Sequence, residues 1–213
     1  MPVLYVGNYN YSSWSMRPWL VLKWAGISFE TKCIPLGGTG YGDKSMPAVL
    51  DVSPTGTVPS LHVNGVVIAD SLAVSEWAAE QVSTLWPEDS LVRAKARAAA
   101  CEMHSGFAAL RTSMPCNIRR RRAAQPLSAD AQRDVQRVNE VWNAHVSEFG
   151  GPYLFGKTPC IADAFYTPVA TRFRTYGLPL SSYAETLLKN PAFLEWETMA
   201  LAEIYSMPQW DSA

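Results

Sequence analysis

Residues 57–81 read TVPSLHVNGVVIADSLAVSEWAAEQ, and three signals in this stretch decide the fold. Two runs rich in β-branched residues flank Asn64-Gly65, a dipeptide that favours a tight hairpin turn. From Ser71 onward the period becomes that of an amphipathic helix, capped by Asp70 or Ser71. Val58-Pro59 stands where the first strand begins, and a proline there cannot donate a ladder hydrogen bond. The pair makes sense if its peptide bond is cis and the freed backbone of Val58 faces a ligand. At Asp70-Ser71 a strand hands over to a helix start, whose exposed N–H groups suit a carboxylate. Ser71 can add a hydroxyl to that grip, and Asp70 can accept from an ammonium group. The plain alternative is an ordinary strand start and an ordinary cap. Taken together, the residues favour a site for a ligand with a free amino acid end.

Outward from this stretch the order of elements becomes clear. Upstream, VLYVG (3–7) reads as a short buried strand and SMRPWLVLKWAG (15–26) as a helix ended by Gly26. SFETKCIPL (28–36) alternates as a strand, GGTGYG (37–42) is a loop, and 44–52 is weakly helical. The sequence therefore predicts βαβαββα, a small open sheet with helices on it. Downstream of 83–90 the strand signals stop. Residues 91–114, 129–149, 161–175 and 192–206 have helical periodicity, and Pro152, Pro159, Pro179 and Pro191 punctuate the connections. The fold class expected is α/β plus all-α, with a first domain over 1–82 and a helical second domain over 90–213.

Bulk properties narrow the function. The chain has 213 residues, enough for two small domains with real cores. Its net charge of −1 gives no global field for nucleic acid or anionic membranes. No apolar run approaches the roughly 20 residues that span a bilayer. The first residues, MPVLYVGNYN, lack a signal peptide's basic start and apolar core. Cys33, Cys101, Cys116 and Cys160 form no C-x-x-C pair, so a reduced, cytoplasmic protein is expected. The tryptophans are expected mostly as core anchors.

The stretch NYNYSSWSMRPWL (8–20) puts serines and an arginine at the start of the first helix. Either they only cap it or they hold something there. GGTGYGDKS (37–45) imitates a phosphate loop, but Asp43 stands between glycine and lysine and removes that reading. RRRR (119–122) reads as a solvated helix end rather than a nucleic-acid contact. His62, His104 and His145 lack metal spacing, so no metal is expected.

With these motifs in this order, the sequence resembles the cytosolic glutathione transferases along nearly its whole length. SSWSMR (12–17) is similar to the serine-cysteine motif that opens the first helix in the zeta class. SPTGTVPSL (53–61) resembles the proline loop, ADSLAVSEWAAE (69–80) the motif that grips the γ-glutamyl end, and GKTPCIADAF (156–165) the folding motif of the second domain. EMHSGFAALRTSMPCNIRRR (102–121) looks most like a bacterial branch with a serine-serine-tryptophan-serine version. The resemblance implies a thioredoxin-like first domain that binds glutathione, a helical domain that supplies the acceptor side, and a homodimer. It implies no membrane or nucleic-acid partner.

A thiol with a pKa of about 8.5–9 is mostly protonated at neutral pH, and the thiolate is the nucleophile. Lowering that pKa by two requires only about 2.7 kcal/mol of differential stabilisation, within reach of one hydroxyl and a helix end. Alignment to the zeta motif puts Ser12 first as the thiolate partner and Ser13 second. Ser15 is expected as the cap and Arg17 as structural or electrostatic. The glutathione-contacting set implied is Ser12, Ser13, Trp14, Arg17, Lys44, Val58, Pro59, Asp70 and Ser71.

Departures from the family matter too. Trp14 replaces the zeta-class cysteine, and Thr57 stands where lysine, arginine or glutamine is common. Lys44 aligns with a glutathione-contacting glutamine. Cys160 replaces the usual Ser or Thr cap before Asp163, which is kept as a folding residue. Arg172 and Arg174 fall near, but not on, the zeta-class arginine that binds an organic acid. Candidates for the acceptor side are His104, Phe107, Arg111 and Arg172, while Met103 and Met114 are expected mainly to pack. Transfer of glutathione to a small apolar electrophile is the leading expectation. Glutathione-dependent isomerisation or dehalogenation comes second, and a binding module without turnover third.

Overall fold

A computed structural model describes residues 1–211. The first part runs β1 (Val3–Val6), α1 (Ser13–Trp24), β2 (Glu30–Cys33), α2 (Pro47–Leu50), β3 (Ser60–Val63), β4 (Val66–Ala69) and α3 (Ser71–Gln81). The sheet order is β2-β1-β3-β4. β1 and β2 are parallel, and β3 lies antiparallel to both β1 and β4. This is the expected βαβαββα order. The hairpin closes at Asn64, whose φ of 50° is the left-handed turn conformation that asparagine tolerates.

A short 3₁₀ turn (Ser83–Leu85) leads to seven helices among the described residues. They are α4 (Ser90–Ser105), α5 (Ala108–Ser113), α6 (Ala129–Phe149), α7 (Ile161–Thr175), α8 (Ser182–Leu188), α9 (Pro191–Ala202) and α10 (Pro208–Asp211). The helix expected over 91–114 is broken. Gly106 lies so close to the Glu102 carbonyl that an added Cβ would sit 2.7 Å from that oxygen, and Phe107 turns to φ 58°. The helix expected over 192–206 stops at Ala202, and the chain runs on without helix over 203–207.

One continuous core joins the sheet side to the helical side. Leu4, Val6, Met16, Leu20 and Leu61 share it with Trp142, Phe165, Phe173 and Trp196. α1 is the shared wall, packed on α3 and on α7. Trp19, Trp86, Trp142 and Trp196 are buried anchors, whereas Trp14 is 37% exposed. Met103 and Met114 are fully buried packing residues. α7 is held at its start by Asp163, whose carboxylate accepts from the N–H groups of Cys160 (2.8 Å) and Leu154 (3.0 Å) and from the Tyr183 hydroxyl (2.9 Å).

Candidate active site

The cleft at the start of α1 is a cavity of about 270 Å³. It brings together Ser12, Trp14, Lys44 and Val58 from the expected set and adds Tyr11, Leu36, Tyr41 and Met46. Two loops close over each other at its rim. A Cβ on Gly56 would sit 2.1 Å from the Lys44 carbonyl oxygen, so only glycine lets the two backbones meet there. Val58-Pro59 is cis. Ser13, Arg17, Pro59, Asp70 and Ser71 do not line this cavity.

Asp70 is the cap of α3, its Oδ1 accepting from Leu72 N at 2.6 Å and its Oδ2 lying 3.3 Å from His104 Nε2. Its carboxylate is thus already engaged on two sides. The Ser71 hydroxyl beside it is buried and has no hydrogen-bond partner.

At the α1 start the cap is Ser12, not Ser15 as the sequence suggests. Ser12 Oγ accepts from Ser15 N (3.3 Å) and donates to Ser15 Oγ (2.8 Å). Ser15 Oγ in turn accepts from Gly7 N at 3.0 Å, which ties the helix back to β1. The reason is positional: the residue before the first helical turn faces its free N–H groups, and a residue inside that turn reaches backwards. Ser13 points elsewhere, and its Oγ accepts from Arg172 Nη2 at 3.2 Å.

A buried cationic cluster stands behind the serines. Arg17 and Arg111 both lie over the Trp14 ring, their guanidinium carbons 4.2 and 4.8 Å from its centroid. His104 meets the same ring edge-on at 5.3 Å, and Phe165 flanks Arg17 at 4.9 Å. Burial, then repulsion from Arg111 and Arg172, pushes the Arg17 pKa far down. Burial, then Arg172, lowers Arg111 to about 10. Burial also lowers Arg172, and it lowers His104 in spite of Asp70. Arg17 Nε and Nη1 and Arg111 Nε are buried without partners. Arg111 donates to the carbonyls of Met103 and His104, and Phe107 is buried against the core. Arg174 is drawn off to Glu197.

Sequence reasoning missed the far end of the chain. The Glu203 carboxylate accepts from the backbone N–H groups of Tyr9 (2.9 Å) and Asn10 (3.1 Å). The Tyr11 hydroxyl donates to Asp211 at 2.8 Å and accepts from Arg119 Nη2 at 3.0 Å. The arginine run is therefore no solvated helix end. It lies outside any helix, and Arg119 also binds the carbonyls of Glu203 (2.6 Å) and Tyr205 (2.8 Å). Two asparagines and two tyrosines ahead of the serines were the only trace of this network in the sequence.

Residues 11–81 match the family model described as glutathione S-transferase, N-terminal domain, and residues 119–197 match the one described as glutathione S-transferase, C-terminal domain. The chain is 28% identical over 201 residues to a probable maleylacetoacetate isomerase of Caenorhabditis elegans, with 91% of each chain covered. It is 26% identical to a maleylpyruvate isomerase of a Ralstonia species, covering 83% of this chain and 85% of that one. Among solved structures it is similar to a Burkholderia glutathione transferase homolog with bound glutathione (TM-score 0.71, 24% identity, 95% and 99% covered). A bacterial zeta-class maleylpyruvate isomerase also matches (TM-score 0.70, 22% identity, 93% and 97% covered).

Proposed function

The chain belongs to the glutathione S-transferase family, its two matched segments together spanning more than two thirds of the sequence, and from that premise we propose that it binds glutathione and uses it as a thiolate. The observation that carries this reading is the Ser12 hydroxyl at the start of α1, lining a cavity that also receives Val58 and Lys44. The backbone at Val58 would pair with the cysteinyl unit of glutathione. The α3 start, with the partnerless Ser71 hydroxyl, would take the γ-glutamyl carboxylate. Residues 1–82 would hold glutathione and residues 90–213 the acceptor, with His104, Phe107, Arg111 and Arg172 on the acceptor side.

On this reading the thiol proton leaves to solvent and a serine O–H stabilises the sulfur anion. With an apolar electrophile the sulfur forms a bond to carbon while the leaving group departs with the bonding pair. A second reading has support in the partnerless nitrogens of Arg17 and Arg111, which suit a carboxylate. There the thiolate adds to a cis double bond of an acidic substrate, the resulting single bond rotates, and elimination returns glutathione unchanged. The SSWSMRPW sequence supports, on our reading, a zeta-like bacterial branch, and the family resemblance implies action in the cytoplasm as a homodimer.

A panel of apolar electrophiles assayed beside maleylacetone, with and without glutathione, separates the readings. Consumption of glutathione with the electrophiles supports transfer. Conversion of maleylacetone at constant glutathione supports isomerisation. Inactivity on both, with glutathione still bound in calorimetry, would leave a binding module. Light scattering at twice 23.5 kDa is expected for the dimer, and a value of 23.5 kDa would remove it.

A further inference from the structure

We propose that residues 203–211 form a clasp that sets the shape of the glutathione cavity; this rests on the glutathione reading above and deepens it. The clasp fixes the Tyr11 ring as one wall and the loop that starts at Gly37 as the other. Tyr11 lines the cavity one residue ahead of Ser12. A phenol has one proton to give and two lone pairs to receive. The Tyr11 proton goes to Asp211, whose two carboxylate oxygens lie at 2.8 and 2.9 Å. Its oxygen receives Arg119 Nη2 at 3.0 Å and the Met207 N–H at 3.2 Å. The hydroxyl is therefore spent, and what Tyr11 offers a ligand is its ring. A cationic donor on one side and an anionic acceptor on the other make the hold a strong one.

The clasp is anchored at both ends. At its start the Glu203 carboxylate receives the Tyr9 and Asn10 N–H groups, and Arg119 holds the carbonyls of Glu203 and Tyr205. At its end Asp211 also receives Asn117 Nδ2 at 2.9 Å. Asn117 Oδ1 in turn receives Asn10 Nδ2 at 2.9 Å, and Asn10 Oδ1 receives the Arg119 N–H at 2.9 Å. These bonds close a ring through Asn10, Asn117, Asp211, Tyr11 and Arg119. Between the anchors Met207 is buried, and its Cε lies 3.5 Å from where a Cβ on Gly37 would stand. Its N–H holds Tyr11, so Met207 touches both walls. Gly37 opens the loop that brings Tyr41 and Lys44 to the cavity. No residue from 203 to 211 lines the cavity itself, so Met207 and Asp211 are positioning residues that act through Tyr11 and the loop. Walls held before a ligand arrives spare it the cost of ordering them. The coupling is reciprocal: a ligand that prefers the closed clasp tightens it by the same factor.

The test pairs calorimetry of glutathione with amide hydrogen exchange over 203–211, with and without saturating glutathione. It uses wild type, Tyr11→Phe, Asp211→Ala, Asp211→Asn and Tyr11→Phe with Asp211→Ala. Tyr11→Phe and Asp211→Ala are each expected to weaken glutathione about fivefold. The double variant should add little, because both changes cut the same bond. Asp211→Asn keeps an oxygen that can accept from Tyr11 and should recover most of the loss. In wild type, glutathione should slow exchange over 203–211 about fivefold, and in Tyr11→Phe most of that slowing should vanish. A lower melting temperature with unchanged affinity in Tyr11→Phe and Asp211→Ala would reduce the clasp to a tie of the fold and overturn the proposal. Exchange over 203–211 that ignores glutathione in wild type would overturn it as well. Should Asp211→Ala not fold, Tyr11→Phe and the wild-type exchange carry the test alone. No binding by wild type overturns the proposal together with the glutathione reading, whereas binding that no variant weakens overturns the clasp alone.

Discussion

Ser71 keeps a buried hydroxyl that nothing in the free protein satisfies, and such a group costs about 1–3 kcal/mol. Removing it should act in opposite directions on stability and binding. Ser71→Ala is expected to leave the melting temperature of the free protein unchanged or higher. The same change should weaken glutathione by roughly 1–2 kcal/mol, or about five- to thirtyfold. Thermal unfolding and calorimetry on one preparation check both halves, and a lower melting temperature with unchanged affinity would return Ser71 to the role of a plain cap. The residues around this serine were legible because their chemistry is local: Asp70 caps the next turn, and Val58-Pro59 announces its own geometry. The ranking of Ser12 and Ser13 was not legible. The Ser13 hydroxyl accepts from Arg172, 159 positions away, and no spacing rule near residue 12 contains that contact.

At the scale of elements, α7 is the helix on which most else depends. It packs on α1, α4 and α8, and it carries both Asp163 and Arg172. Asp163→Ala would leave three buried donors, those of Leu154, Cys160 and Tyr183, without an acceptor. A loss of roughly 3 kcal/mol or more is expected, read as a lower denaturant midpoint. A loss within about 0.5 kcal/mol, the range of ordinary surface changes, would show that the capping network does not matter. The hairpin of β3 and β4 and the start of α3 could be read from sequence because turn and cap chemistry act over a few residues. The break between α4 and α5 could not be placed. Phe107 adopts a left-handed conformation while its ring is buried against the core, and the packing that holds it there comes from distant helices. α8 begins at a readable serine cap, Ser181, whose oxygen accepts from Ala184 N at 3.2 Å, yet its seven residues are too few to show a period.

For the whole molecule, two partly buried histidines contribute to the loss of stability in acid. Burial lowers the pKa of His104, with Asp70 opposing and Arg17 and Arg111 adding to the effect. Burial also lowers that of His145, with Glu148 and Glu102 opposing and Lys95 and Arg137 adding. Because the unfolded chain binds these protons more readily, their contribution is intact above the ordinary histidine value of about 6.5 and is lost as pH falls toward the depressed values. The melting temperature should therefore drop between pH 7.5 and 5.5, and His104→Gln with His145→Gln should flatten that drop. An equally steep drop in the double variant would place the acid sensitivity elsewhere. The expected two-part architecture was legible in outline, from strand signals that end near residue 82, but the ties that close it were not. The tie from Tyr11 to Asp211 spans the greatest sequence distance of them, with the tie from Glu203 to Tyr9 and Asn10 close behind, and both bear on the order of assembly. A ribosome releases residues 8–13 long before residues 203–211. The sheet, its hairpin and the first helix can form on the nascent chain, while residues 9–11 gain their last ties only when the final stretch of synthesis reaches them. A protease that nicks the extended run at 203–206 would return that segment to its half-made condition, with every strand still in place.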